Sequence, residues 1–256
     1  MARIHLFEWM DQPWLPDVLR TGITDHLRTT EDVFAPYAPI EELLAEAIAA
    51  SGQPRFVDLC SGGGGPAVQL AASLRARGEA DGVVLTDLFP NNAAFEAASQ
   101  APGVDFHPEP VDATRVPPSL VGTRTLFNAF HHLPPPLARA VLADAASSRQ
   151  PILVVETLSH TPQGVALALG IAALEPLLVF ARRPPRLDHV LLSTLLPVLP
   201  LLLAWEGTVS ALRCYSAREL DALTGGLGGA GYTWRQGRSR SWIPLVELRW
   251  LLGRPV

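Results

Sequence analysis

The chain has 256 residues; 48% are hydrophobic, 18% are charged, and the formal net charge is -5. This length and apolar content suit one α/β domain with additions and a sizeable core. The basic residues form no run suited to a phosphate backbone, so nucleic acid is excluded as the expected partner.

All 20 basic residues are arginine. The two cysteines, Cys60 and Cys214, are too few for a disulfide framework or a metal cluster, and no metal is expected. The opening MARIHLFEWMDQPWLP carries acids and two prolines and lacks a signal-type apolar core. A cytoplasmic protein is expected, as a monomer or homodimer.

Residues 1–50 read as a mostly helical leader, with Ile40–Ala50 apolar at helical spacing. Short apolar runs then alternate with helical stretches. Arg55–Cys60 predicts a strand, SGGGG a tight loop, and Pro66–Arg77 a helix with proline in its first turn. Gly82–Asp87 predicts a second strand and Asn91–Ser99 a helix. Val104–Pro108, Arg124–Phe130 and Pro151–Glu156 predict three more strands, with a helix over Pro135–Ser147. Such continuous apolar runs predict a doubly wound, mostly parallel Rossmann-like sheet, covered on both faces.

After Glu156 the alternation stops. Residues 157–212 form a long apolar insertion, and 213–256 resume the pattern. A helix is expected from Ser216 to about Leu223, then a turn in GGLGGAG, then apolar runs at Tyr232–Gln236 and Trp242–Leu252. The core is therefore expected over 51–156 and 213–256. Leader and insertion are expected to form a helical cap over the carboxyl ends of the strands, where ligands bind in open α/β sheets. Within the insertion, HVLLSTLLPVLPLLLAW (His189–Trp205) is short of the about 20 residues a spanning helix needs, and Pro197 and Pro200 interrupt it. A buried cap helix is the expectation, with membrane association left open but not favoured.

Asp58-Leu59-Cys60-Ser61-Gly62-Gly63-Gly64-Gly65 follows a predicted strand and opens a helix. Glycines there let the backbone approach a ligand at a helix N-terminus. Asp87 closes the second strand, 25 positions after Gly62, where an acid can accept from ribose hydroxyls. Asp112, after the third strand, is placed to accept from an adenine amino group.

This set resembles the class I S-adenosylmethionine-dependent methyltransferases of the small-molecule type. Asp58, Gly62 and Gly64 match the family's D-x-G-x-G-x-G motif, with Cys60 in place of its first glycine. Asp87 matches the ribose-binding acid, and Asp112-Ala113 the adenine-side motif. Asn128-Ala129-Phe130-His131-His132-Leu133 resembles the fourth-strand segment, and Tyr215-Ser216-Ala217-Arg218-Glu219-Leu220 with Ala230-Gly231-Tyr232 a late motif. The resemblance covers about residues 53–156 and 214–250. It implies a seven-stranded sheet and S-adenosyl-L-methionine as cofactor, with S-adenosyl-L-homocysteine as product. The implied reaction is methyl transfer to a small, apolar or aromatic acceptor, of the kind found in secondary metabolism. The methylated atom (oxygen, nitrogen or carbon) stays open.

His131, His132, Glu156 and Glu206 are the candidate acid–base groups. His131 and His132 serve equally as walls of the cofactor pocket, Glu156 as a helix cap, and Glu206 reads more readily as a solvated loop acid. The candidate cofactor residues are Asp58, Cys60, Gly62, Gly64, Asp87, Leu88, Asp112, Ala113 and Asn128, with Arg20 and Tyr37 for the cofactor carboxylate. Trp9, Trp14, Trp205 and Tyr215 are the aromatic candidates for the acceptor. Two other readings compete: a nicotinamide-dependent oxidoreductase, and a non-catalytic methyltransferase-like module at a membrane surface. Against the first, Ala67 stands at the third glycine position and the chain has no Tyr-x-x-x-Lys pair.

Overall fold

A computed structural model describes residues 3–182, 185–243 and 246–256. In chain order the elements are α1 (Asp17–Phe34), α2 (Glu41–Ser51), β1 (Arg55–Asp58), α3 (Gly65–Ala76), β2 (Gly82–Leu85), α4 (Asn92–Ala98), β3 (Val104–Phe106), β4 (Thr123–Phe127), α5 (Pro135–Ser147) and β5 (Ile152–Glu156). There follow α6 (Pro162–Ala173), α7 (Glu175–Leu178), α8 (Leu187–Val190), α9 (Val198–Arg213), α10 (Ala217–Thr224), β6 (Tyr232–Arg240) and β7 (Glu247–Pro255).

The chain divides into two compact units. One is Met1–Pro36 with Leu158–Ser216 and Ile243–Val246; the other is Tyr37–Thr157 with Ala217–Trp242 and Glu247–Val256. The expected leader 1–50 is thus shared: its first 36 residues go with the helical unit, and α2 goes with the sheet.

The sheet unit holds seven strands in the order β3-β2-β1-β4-β5-β7-β6. β1 pairs in parallel with β2 and β4, as do β2 with β3 and β4 with β5. β7 runs antiparallel to both β5 and β6. Every residue of β4 and β5 is buried, as expected for strands covered on both faces. The chain winds outward through β2 and β3, then returns to place β4 on the other side of β1. That reversal makes a crevice at the carboxyl ends of β1 and β4, where open α/β sheets bind ligands.

Four strands stop short of their expected ends, among them β2, which ends at Leu85, two residues before Asp87. β1 ends at Asp58, because Cys60 takes φ 58°. β4 ends at Phe127, because Asn128 takes φ 51°. β3 stops at Phe106, two residues before Pro108. The expected run Trp242–Leu252 includes residues 244 and 245, which lie outside the described residues; β7 starts at Glu247.

The helical unit corrects three expectations. His189–Trp205 is not one helix: α8 runs into a π-helical turn (Leu191–Leu195), and this element meets α9 at 79°. Pro197 makes the break, whereas Pro200 falls in the first turn of α9, where no intrahelical N–H is needed. Nor is the segment buried throughout: Leu191, Leu195, Leu196 and Leu201 are exposed. Finally, the stretch with the length and hydropathy of a span is Pro162–Ala181.

The core of this unit sets Leu15 and Ile23 against Ala172, Leu199 and Leu203. At its centre Glu175, fully buried, lies 2.6 Å from His26 Nδ1 and accepts from Arg182 and Ser193.

Candidate active site

The loop after β1 is shaped by three left-handed residues, Cys60 (φ 58°), Gly62 (φ 56°) and Gly64 (φ 85°). Glycine adopts this region freely; cysteine does so at a cost of roughly 1–2 kcal/mol. Cys60 therefore takes the turn that the family's first glycine implies, without being glycine. A Cβ on Gly62 or Gly63 would meet nothing within 4 Å, so the loop offers open backbone. On Gly64 it would press on Leu85 Cδ1 at 2.9 Å. The Ser61 amide donates to Thr86 O, and the Thr86 amide and hydroxyl both donate to Asp58 O, fixing this loop to the end of β2.

Asp58 braces the loop from within. It is buried and accepts from Thr125 Oγ1 at 2.6 Å. Burial raises its carboxyl to about 7, against the lowering effect of bonds from Thr125 and Ser61. Burial and the negative charges of Asp87, Asp58 and Asp112 push the Cys60 thiol up to about 12, which leaves it without thiolate character.

Asp87 lies two residues beyond β2. Its Oδ2 accepts from the Gly62 amide at 3.0 Å and its Oδ1 from the Phe89 amide at 2.9 Å. Leu88 beside it is exposed. Past β3, Asp112 is exposed and accepts from the Thr114 amide and hydroxyl, while Ala113 is buried. The Val111 amide donates to Asp87 O, which ties the two acidic loops together.

Past β4, Asn128 donates from Nδ2 to Tyr37 Oη at 2.6 Å, and its Oδ1 accepts from the Thr157 amide and hydroxyl. His131 and His132 follow in a short 3₁₀ turn, ring centroids 4.3 Å apart. His131 Nδ1 lies 2.8 Å from Glu156 Oε2, and its amide donates to Glu156 Oε1 at 3.0 Å. Both residues are buried. Glu156, at the end of β5, is therefore bonded to a histidine and does not cap the next helix; Thr161 does that.

The candidates thus fall into two groups. Tyr37, Asp58, Cys60, Gly62, Gly64, Asp87, Leu88, Asp112, Ala113, Asn128, His131, His132 and Glu156 belong to the sheet unit. Trp9, Trp14, Arg20, Trp205, Glu206 and Tyr215 belong to the helical unit. There Arg20 donates to the carbonyls of Met10 and Gln12, which gives its guanidinium a structural task. Tyr215 is buried, with Arg3 over its ring at 4.7 Å. Trp14 is exposed and meets Trp9 edge-on, and Trp205 donates to Phe7 O.

Glu206 is no solvated loop acid. It sits inside α9, buried, and accepts from the Trp9 amide at 2.5 Å. Burial lifts it to about 7; amides of Trp9 and Met10 oppose the rise, and Glu8 and Asp11 add to it. Sequence reading also missed Glu8 and Arg213, whose side chains pair at 3.1 Å in the same unit. A lone arginine closing an apolar helix was the available signal.

No protein-family model matches the chain, and no curated protein matches it by sequence. Solved structures do match. The plantazolicin methyltransferase BpumL, solved with SAH, superposes with a TM-score of 0.57 at 11% identity, over 96% of this chain and 92% of that one. An O-methyltransferase from neocarzinostatin biosynthesis, NcsB1, solved with S-adenosyl-L-homocysteine and 1,4-dihydroxy-2-naphthoic acid, gives 0.52 at 17% over 92% and 58%. The pyocyanin biosynthetic protein PhzM gives 0.51 at 16% over 89% and 56%. The chain spans a little over half the length of the last two. At these identities the likeness establishes a common Rossmann-like fold.

Proposed function

We propose that this chain is an S-adenosylmethionine-dependent methyltransferase acting on a small apolar or aromatic molecule. The observation that carries the reading is the contact of Asp87 with the Gly62 amide at the reversal of strand order. It puts an acid and an open glycine backbone at one crevice, the pairing that a nucleoside with a charged tail requires. The solved methyltransferases with the same fold support it.

The residues fit such a group. Asp87 would accept from ribose hydroxyls, Asp112 from an adenine amino group, and Gly62 and Gly63 leave room for close approach. Asp58 and Cys60 shape the loop rather than touch the ligand. When bound, S-adenosylmethionine supplies a methyl made electrophilic by its sulfonium. His131 serves as the general base. Its Nδ1 lies against Glu156 Oε2; with the proton on Nδ1, Nε2 would accept the acceptor's proton, and the carboxylate would compensate the charge that the imidazole then gains.

Calorimetry with S-adenosylhomocysteine and with NAD tests the reading directly. Binding of the first and not the second is expected. Binding of NAD alone would transfer the crevice to hydride chemistry.

A further inference from the structure

Two segments of the helical unit set exposed leucines over buried ionisable groups. Pro162–Ala181 has a mean hydropathy of 2.1, yet only 28% of its apolar window is buried. Its one charged residue, Glu175, is fully buried, while Leu169, Leu177 (70% exposed) and Phe180 face outward. The bent pair that follows repeats the pattern. His189 and Ser193 are buried; Leu187, Leu195 (72%) and Leu201 (69%) are exposed. A helix on a water-facing surface carries the opposite arrangement. Ionisable groups paired inside and leucines outside are what a hydrocarbon solvent selects.

We propose that this leucine face docks on the hydrocarbon of a lipid bilayer, lying in one leaflet. Length and charge favour lipid over a second copy of the chain. A 20-residue stretch, apolar but for Gln163 and the buried Glu175, is long enough to lay a continuous apolar surface in one leaflet, and the 79° bend keeps the segment that follows from crossing the bilayer. Of the cations beside these segments, Arg182 is neutralised inside by Glu175 and the exposed Arg186 by Asp188 at 2.6 Å. Among the described residues, these pairs leave the face suited to an uncharged apolar medium without need of an anionic headgroup. A protein interface carries about one hydrogen bond per 100–200 Å². The outward positions from Ala166 to Ala181 offer no side-chain donor or acceptor for them. This proposal is independent of the methyl-transfer reading.

The test is flotation of the full chain with phosphatidylcholine vesicles. The protein is expected to rise with the vesicles, in high salt as in low. The combined variant L177E/L195E/L201E, all at exposed positions, is expected to lose at least about tenfold of the bound fraction with an unchanged melting temperature. Hydrogen exchange on the parent chain needs no variant: vesicles should protect residues 162–181 and 187–205. A parent chain that stays at the bottom of the gradient overturns the proposal. So does protection confined to other segments. Concentration-dependent dimerisation without flotation, abolished by the same substitutions, would assign the face to a second copy.

Discussion

Glu156 holds His131 at two points, through the ring nitrogen Nδ1 and through the backbone amide of the same residue. One carboxylate thus fixes both the position of the turn and the orientation of the imidazole. If His131 is the base, His131→Ala lowers turnover by roughly 10²–10⁴-fold while S-adenosylhomocysteine affinity stays. Glu156→Gln keeps an acceptor for the amide but removes the charge, so it lowers kcat with KM little changed. Steady-state rates and calorimetry on both variants check this. Full activity of His131→Ala leaves proximity as the whole mechanism.

Asp87 is expected to dominate cofactor affinity. Hydrogen bonds to a charged group are worth roughly 1.5–3 kcal/mol each. Asp87→Ala should weaken S-adenosylhomocysteine binding by at least about tenfold in calorimetry. Equal affinity of variant and parent removes Asp87 from the site.

Cys60 tests the loop geometry. With φ at 58°, Cys60→Val places a β-branched side chain in the left-handed region and should cost about 1–2 kcal/mol in denaturant unfolding. Cys60→Gly should be close to neutral, because relieved strain offsets the looser unfolded chain. A valine as well tolerated as glycine would contradict the turn. The parent thiol should react with a disulfide reagent slowly at neutral pH, since burial holds it near 12.

Asp58 and Glu206 set a pH dependence of stability. Both folded values lie near 7, above the ordinary carboxylate range. Between about pH 4 and 7 the folded chain holds protons that the unfolded chain has released. The contribution is therefore full below about pH 4 and is lost as pH rises toward 7. Asp58→Asn and Glu206→Gln should each flatten the fall of melting temperature across that window. A parent whose melting temperature keeps climbing from pH 5 to 7, unchanged by either substitution, contradicts the assignment.

The sheet was legible because buried parallel strands leave continuous apolar runs, and α5 was bounded correctly by its first-turn prolines. The strand ends were not. Hydrophobic pattern carries no sign of φ, so nothing in RFVDLC or RTLFNAF announced the left-handed turns at Cys60 and Asn128. The loop acids were legible from spacing, whereas the Glu156–His131 bond depends on β4 and β5 being neighbours. The helical unit was least legible. Periodicity locates an apolar face but does not say whether it turns inward, and here Leu177 and Leu195 turn outward while Glu175 and Glu206 turn in.

β7 lies between β5 and β6, so β6 joins the sheet only through a strand that follows it in the chain. On the ribosome, β5 must keep an unpaired edge while residues 157–246 are made. That edge is buried and apolar in the finished sheet, and an open edge of this kind invites pairing with another chain. Deleting β7 should therefore release two strands rather than one, giving aggregates instead of a shortened soluble fold.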